Sequence, residues 1–137
     1  MARFFADTFY WVAMLFRRDT AHARVTAFSH TLARTDVLYT TDAVILEVLA
    51  AFSAAGTYLR AQAAARAEEM LADPAMRVVE LTRARLLEGL TLYKARPDKE
   101  YSLTDCISME VMRREGLTDV LTNDRHFTQE GFHILFP

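Results

Sequence analysis

A chain of 137 residues is long enough for one domain with one proper core, and the expected organisation is a single domain over residues 1–137. Its 52% hydrophobic and 25% charged residues are those of an ordinary compact protein, and no stretch is long and apolar enough to span a bilayer. A net charge of −2 exerts no general pull on nucleic acid, although a chain can be locally basic around an acidic site.

In chain order, Arg3 to Ala6 reads as a short strand with Asp7 at its end. The apolar run before Asp7 is too short for a signal peptide. Thr8 to Phe16 is densely apolar and aromatic and predicts a helix that opens directly after the strand. Asp19 or Thr20 can cap a second helix reaching about Ala33. Val37, Leu38 and Tyr39 predict a strand over Asp36 to Thr40. Thr41 or Asp42 then caps a helix that includes Val44 and Phe52, with Gly56 marking its end. Thr57 opens an Ala-rich helix that Asp73-Pro74 ends.

Met76 to Leu81 is strand-like, and Thr82 can cap a helix from Arg83 to about Lys94. The polar segment from Ala95 to Glu100 is a loop. Ser102 caps a helix that Gly116 stops. Cys106 lies inside that helix, between Asp105 and Ile107, and reads as a buried thiol. As the only cysteine it excludes an intramolecular disulfide, which makes a reducing cytoplasm the expected location. Val120-Leu121 is a short strand, Asp124 to Gln129 one helical turn, and Phe132 to Phe136 a final strand. Strands alternate with helices throughout, so the expected fold is α/β with a central, mainly parallel sheet flanked by helices. Functional groups in such folds collect at the carboxyl ends of strands, near the switch in strand order.

Four carboxylates fall beside apolar segments: Asp7, Glu47, Asp105 and Asp124. Burying a carboxylate is costly unless something offsets its desolvation, and a divalent cation is the usual answer. Each has a rival structural reading. Asp7 and Asp124 can be helix caps, and Ser102-Leu103-Thr104-Asp105 matches a capping box. Glu47 sits among Val44, Ile45, Leu46, Val48 and Leu49, so it lies either at a rim or buried with a partner, an arginine being the rival to a metal. Oxygen ligands of this kind suit Mg²⁺ or Mn²⁺ rather than Zn²⁺. His22, His30, His126 and His133 are scattered and are read as non-catalytic.

Positive charge is nearly all arginine, with lysine only at Lys94 and Lys99. The planar guanidinium suits phosphate, although a GC-rich coding bias accounts for the same composition. Lys94, Arg96, Lys99 and Arg125 flank the late carboxylates and are candidate phosphate contacts; a solvated loop is the alternative.

Taken in order, Phe5-Ala6-Asp7-Thr8, Thr41-Asp42-Ala43-Val44-Ile45-Leu46-Glu47, Tyr101-Ser102-Leu103-Thr104-Asp105 and Leu121-Thr122-Asn123-Asp124-Arg125-His126-Phe127 resemble the successive motifs of PIN domains. The similarity covers essentially the whole chain and looks most like the VapC-type toxins of toxin–antitoxin pairs. The resemblance implies a three-layer sandwich and a metal-dependent ribonuclease. It implies catalytic and metal-ligating roles for Asp7, Glu47, Asp105 and Asp124, the last being the more variable position. Thr8 and Thr122 match supporting hydroxyl positions. The implied cofactor is Mg²⁺ or Mn²⁺. The implied partners are an RNA substrate, a small antitoxin protein and a second copy of the chain, with no membrane. The aromatic stretch around Trp11 is the candidate antitoxin dock. A PIN nuclease of RNA processing or DNA repair, or a degenerate PIN domain that only binds, is the alternative.

Overall fold

The alternation of strand and helix persists in the computed structural model, which describes residues 1–137. The strands are β1 (Arg3–Ala6), β2 (Val37–Thr41), β3 (Met76–Val79), β4 (Asp119–Leu121) and β5 (His133–Ile134). The helices are α1 (Thr8–Leu15), α2 (His22–Thr31), α3 (Asp42–Ala51), α4 (Thr57–Ala72), α5 (Arg83–Ala95), α6 (Leu103–Glu115) and α7 (His126–Gln129). The strands form one sheet in the order β3-β2-β1-β4-β5, and every neighbouring pair is parallel. The sheet is thus wholly rather than mainly parallel, flanked by the helices that its crossovers require.

Strand order turns at β1. The chain moves from β1 outward to β2 and β3, then returns to the other side of β1 as β4 and β5. In open parallel sheets ligands sit at the carboxyl ends of the strands where the two halves diverge, which here are those of β1 and β4. Register brings Phe5 beside Val120 and Ala6 beside Leu121, so Asp7 and Thr122 leave the sheet side by side. All four paired residues are buried, and the core continues through Tyr10, Val44, Met109 and Met112.

Departures from the expected boundaries have local causes. Helix α2 begins at His22 because Asp19 Oδ1 accepts the Ala21 amide in a preceding turn, 2.8 Å away. It ends at Thr31 because Asp36 accepts the amides of both Ala33 and Ala2, each at 2.8 Å, which ties the loop to the start of β1. Strand β3 stops at Val79, and the Leu81 amide donates instead to Asp42 Oδ2 at 2.9 Å. Asp42 is therefore a strut, and Thr41 is the cap of α3. The last strand narrows to two residues, although the Leu135 and Phe136 amides still donate to Val120 and Thr122 carbonyls. Gly116 ends α6 in the left-handed region, φ +68°, where a side chain is disfavoured.

Candidate metal centre

Asp7 follows β1 directly and takes the N-cap position of α1, yet its side chain makes no cap bond. It is 5% exposed. Its Oδ2 accepts the Thr122 hydroxyl at 2.9 Å, while its buried Oδ1 has no hydrogen-bond partner. The capping reading of Asp7 therefore fails on geometry, and a buried oxygen is left for another positive group.

The other three carboxylates arrive from separate elements. Glu47 projects from α3 at a half-buried rim position and pairs with no arginine; the Thr8 hydroxyl donates to its Oε1. Asp105 forms the capping box in full, its Oδ2 accepting the Ser102 amide at 3.0 Å and its own amide donating to Ser102 Oγ at 3.0 Å. Asp124 Oδ1 accepts the His126 amide at 2.9 Å, so this carboxylate does fasten the start of α7. A capping box at Asp105 and a tight turn at Asp124 each engage one carboxylate oxygen and fix where the carboxylates point.

The four are close enough to feel one another. Burial holds the Asp7 carboxyl far above its ordinary range, at about 7, and the charges of Asp105 and Glu47 push the same way, against the Thr122 hydroxyl. Asp105 is also raised, first by burial and then by the charges of Asp124 and Glu47, while its capping bonds oppose. Converging carboxylates that resist joint ionisation, with one buried oxygen unpartnered, are a donor set that a divalent cation fits.

One member was not expected. His126, read as non-catalytic from its isolation in the sequence, belongs to the cluster. One ligand atom from each of Asp105, Asp124 and His126 lies within 4.8 Å of the others, a group that could hold a metal ion. The available signal was its spacing, two residues beyond Asp124 and hence in the same turn.

The candidate basic contacts have mixed surroundings. Lys94 and Arg125 are exposed. Lys99 lies 3.8 Å from Asp98. Arg96 is paired with Glu130 at 2.9 Å, and Glu130 also accepts from Arg113 and from the Tyr101 hydroxyl. The aromatic stretch differs from expectation too. Trp11 is 3% exposed and packs edge-to-face on Tyr10, so it cannot itself offer a dock; Phe16, at the end of the stretch, is exposed.

Compared with known families, the chain matches the PIN domain over residues 4–132. It belongs to the PIN domain family. Among solved structures, this PIN domain is similar to VapC20 of Mycobacterium tuberculosis, described as a Sarcin-Ricin loop cleaving toxin. The identity is 24%, the match covers 98% of this chain and 99% of the other, and the TM-score is 0.85. It is also similar to FitAcB from Neisseria gonorrhoeae (16% identity, 96% of each chain, TM-score 0.63). A third similar structure is VapBC2 from Rickettsia felis bound to a DNA fragment from their promoter (11% identity, 97% of each chain, TM-score 0.64). At these identities the shared feature is the fold, the PIN-like α/β arrangement expected from the sequence. No curated protein sequence matches the chain. No helix is long and apolar enough to cross a membrane.

Proposed function

We propose that this PIN domain is a metal-dependent endoribonuclease acting in the cytoplasm as the toxin of a toxin–antitoxin pair. The observation that carries the reading is Asp7: buried, not capping, one oxygen unpartnered, beside Glu47 and Asp105 at the turn in strand order. Asp7, Glu47, Asp105 and Asp124 are the residues that would hold Mg²⁺ or Mn²⁺ and act in catalysis. When bound, the divalent ion supplies Lewis acidity, making water a better nucleophile near neutral pH and screening charge on a phosphodiester. The protein's part is to hold the oxygens in place. Thr122 fixes Asp7, Thr8 fixes Glu47, the capping box fixes Asp105, and the His126 amide fixes Asp124. Lys94, Lys99 and Arg125, with Arg96 tethered to Glu130, supply positive charge for phosphates on either side of the cut. Hydrolysis in line leaves a 5′-phosphate and a 3′-hydroxyl without a covalent enzyme intermediate.

The similarity to VapC20 and to VapBC2 supports the toxin reading. The antitoxin dock moves from Trp11 to the end of α1. There a cleft of about 360 Å³ is lined by Leu15, Phe16 and Tyr58 and rimmed by Arg17, Arg18 and Arg66. An antitoxin segment with apolar and acidic side chains complements that lining. Leu87, Leu90 and Tyr93 form an exposed stripe on α5 that a second copy of the chain would cover.

Inducible expression of the chain alone tests the biology. The expected result is growth arrest with fragmentation of cellular RNA, both relieved by a folded Asp7→Asn variant. Unaffected growth together with in vitro cleavage would leave a processing nuclease instead.

A further inference from the structure

Oxygen ligands account for four members of the centre but not for His126. Its Nδ1 is buried and makes no hydrogen bond, although Asp124 Oδ1 is 3.3 Å away and Asp105 Oδ2 is 3.9 Å away. No hydrogen bond within the protein satisfies that nitrogen. A buried polar nitrogen left in that state is costly. The ligand atoms of Asp105, Asp124 and His126 lie within 4.8 Å of one another. That is the span one ion bridges, about twice a metal–ligand bond of roughly 2.0–2.4 Å.

The ring is also held from several directions. The His126 amide donates to Asp124 Oδ1 at 2.9 Å. Tyr101 packs against the imidazole edge-to-face at 5.2 Å. The Tyr101 hydroxyl is in turn anchored on Glu130, which Arg96 and Arg113 grip. These contacts lock the imidazole beside the two carboxylates, as a positioned ligand requires.

We propose that His126 Nδ1 is a ligand of the cation held by Asp105 and Asp124, and that this nitrogen tunes the centre toward first-row transition ions over Mg²⁺. The proposal rests on the metal-centre reading above. Mg²⁺ favours oxygen donors and holds its waters tightly, whereas imidazole nitrogen suits transition ions. An all-carboxylate centre would lack that bias.

Mn²⁺ bound to the full chain provides the test, through electron spin-echo modulation. Wild-type protein should show coupling to a histidine nitrogen, altered by ¹⁵N-histidine labelling and absent in His126→Ala. By calorimetry, the preference for Mn²⁺ over Mg²⁺ should fall in His126→Ala by roughly tenfold or more, at least the loss caused by removing a supporting contact. The labelling arm needs no variant and stands even where His126→Ala fails to fold. Mn²⁺ bound with no histidine coupling, or with coupling that survives in folded His126→Ala, overturns the proposal and leaves the carboxylate centre intact. No Mn²⁺ binding by wild-type protein overturns both.

Discussion

Thr122 donates its hydroxyl proton to Asp7 Oδ2 at 2.9 Å and accepts the Asp124 amide at 3.2 Å, so one side chain orients two carboxylates. Replacing it with valine keeps the shape and removes both bonds. Thr122→Val should cost about 1–3 kcal/mol in chemical denaturation and push the Asp7 carboxyl still higher. Asp7 gives the metal-free protein a pH dependence of definite sign. Its folded carboxyl, at about 7, keeps a proton that the unfolded chain has already released above its ordinary value of 3.8. Stability is therefore lost as pH rises between those values. In EDTA, Asp7→Asn should gain on wild type by ~2–3 kcal/mol between pH 5 and pH 8. A constant difference across that range would show that Asp7 does not carry the burial strain. The four carboxylates stood out in the sequence because each falls beside an apolar segment. His126 did not, because its spacing from Asp124 leaves unseen that their turn folds back on Asp105. Nor did the pairing of Arg96 with Glu130, a contact between residues 34 apart.

Elements were easier to read than residues where capping chemistry marked them. Thr41, Thr82 and Ser102 all cap the helices they were expected to cap, and Gly116 stops α6. Boundaries slipped where a distant side chain competed for backbone amides, as Asp36 and Asp42 do. Gly89 carried no readable signal. Inside α5 it should only weaken the helix relative to alanine. Its reason is tertiary: a Cβ there would lie 2.6 Å from Ile107 Cγ1 and 3.3 Å from the Ile107 amide nitrogen of α6. Ile107 is buried and two residues from Asp105, so this close approach seats the helix that carries the carboxylate. Gly89→Ala should destabilise by about 1–2 kcal/mol, overpacking outweighing the better helix propensity. A thermal melt showing a more stable variant would mean the helices separate at little cost.

At the scale of the whole molecule, the parallel sheet and its turn in strand order at β1 do the gathering. Residues 7, 47, 105 and 124 meet because β1 and β4 are neighbours and α3 and α6 begin at the same edge of the sheet. Alternating apolar and capping segments made that architecture legible in the sequence. Surface assignments were less so, since an aromatic run does not reveal which face it buries. Trp11 went inside and Phe16 remained out. Phe16→Asp should therefore leave RNA cleavage unchanged and weaken neutralisation by a co-expressed antitoxin, read as restored toxicity. Neutralisation that persists would move the dock elsewhere.

Cleavage of a labelled RNA by the purified chain, with Mg²⁺ or Mn²⁺ and with EDTA, tests the central claim most directly, using Asp105→Asn as the control. Asparagine retains an oxygen able to accept the Ser102 amide, so the variant should fold with α6 capped. The account predicts metal-dependent cleavage by wild type, none in EDTA, and a loss of at least about 100-fold in the variant. Cleavage by Asp105→Asn at the wild-type rate, or wild-type cleavage that persists in EDTA, would contradict it and reduce Asp105 to a helix cap.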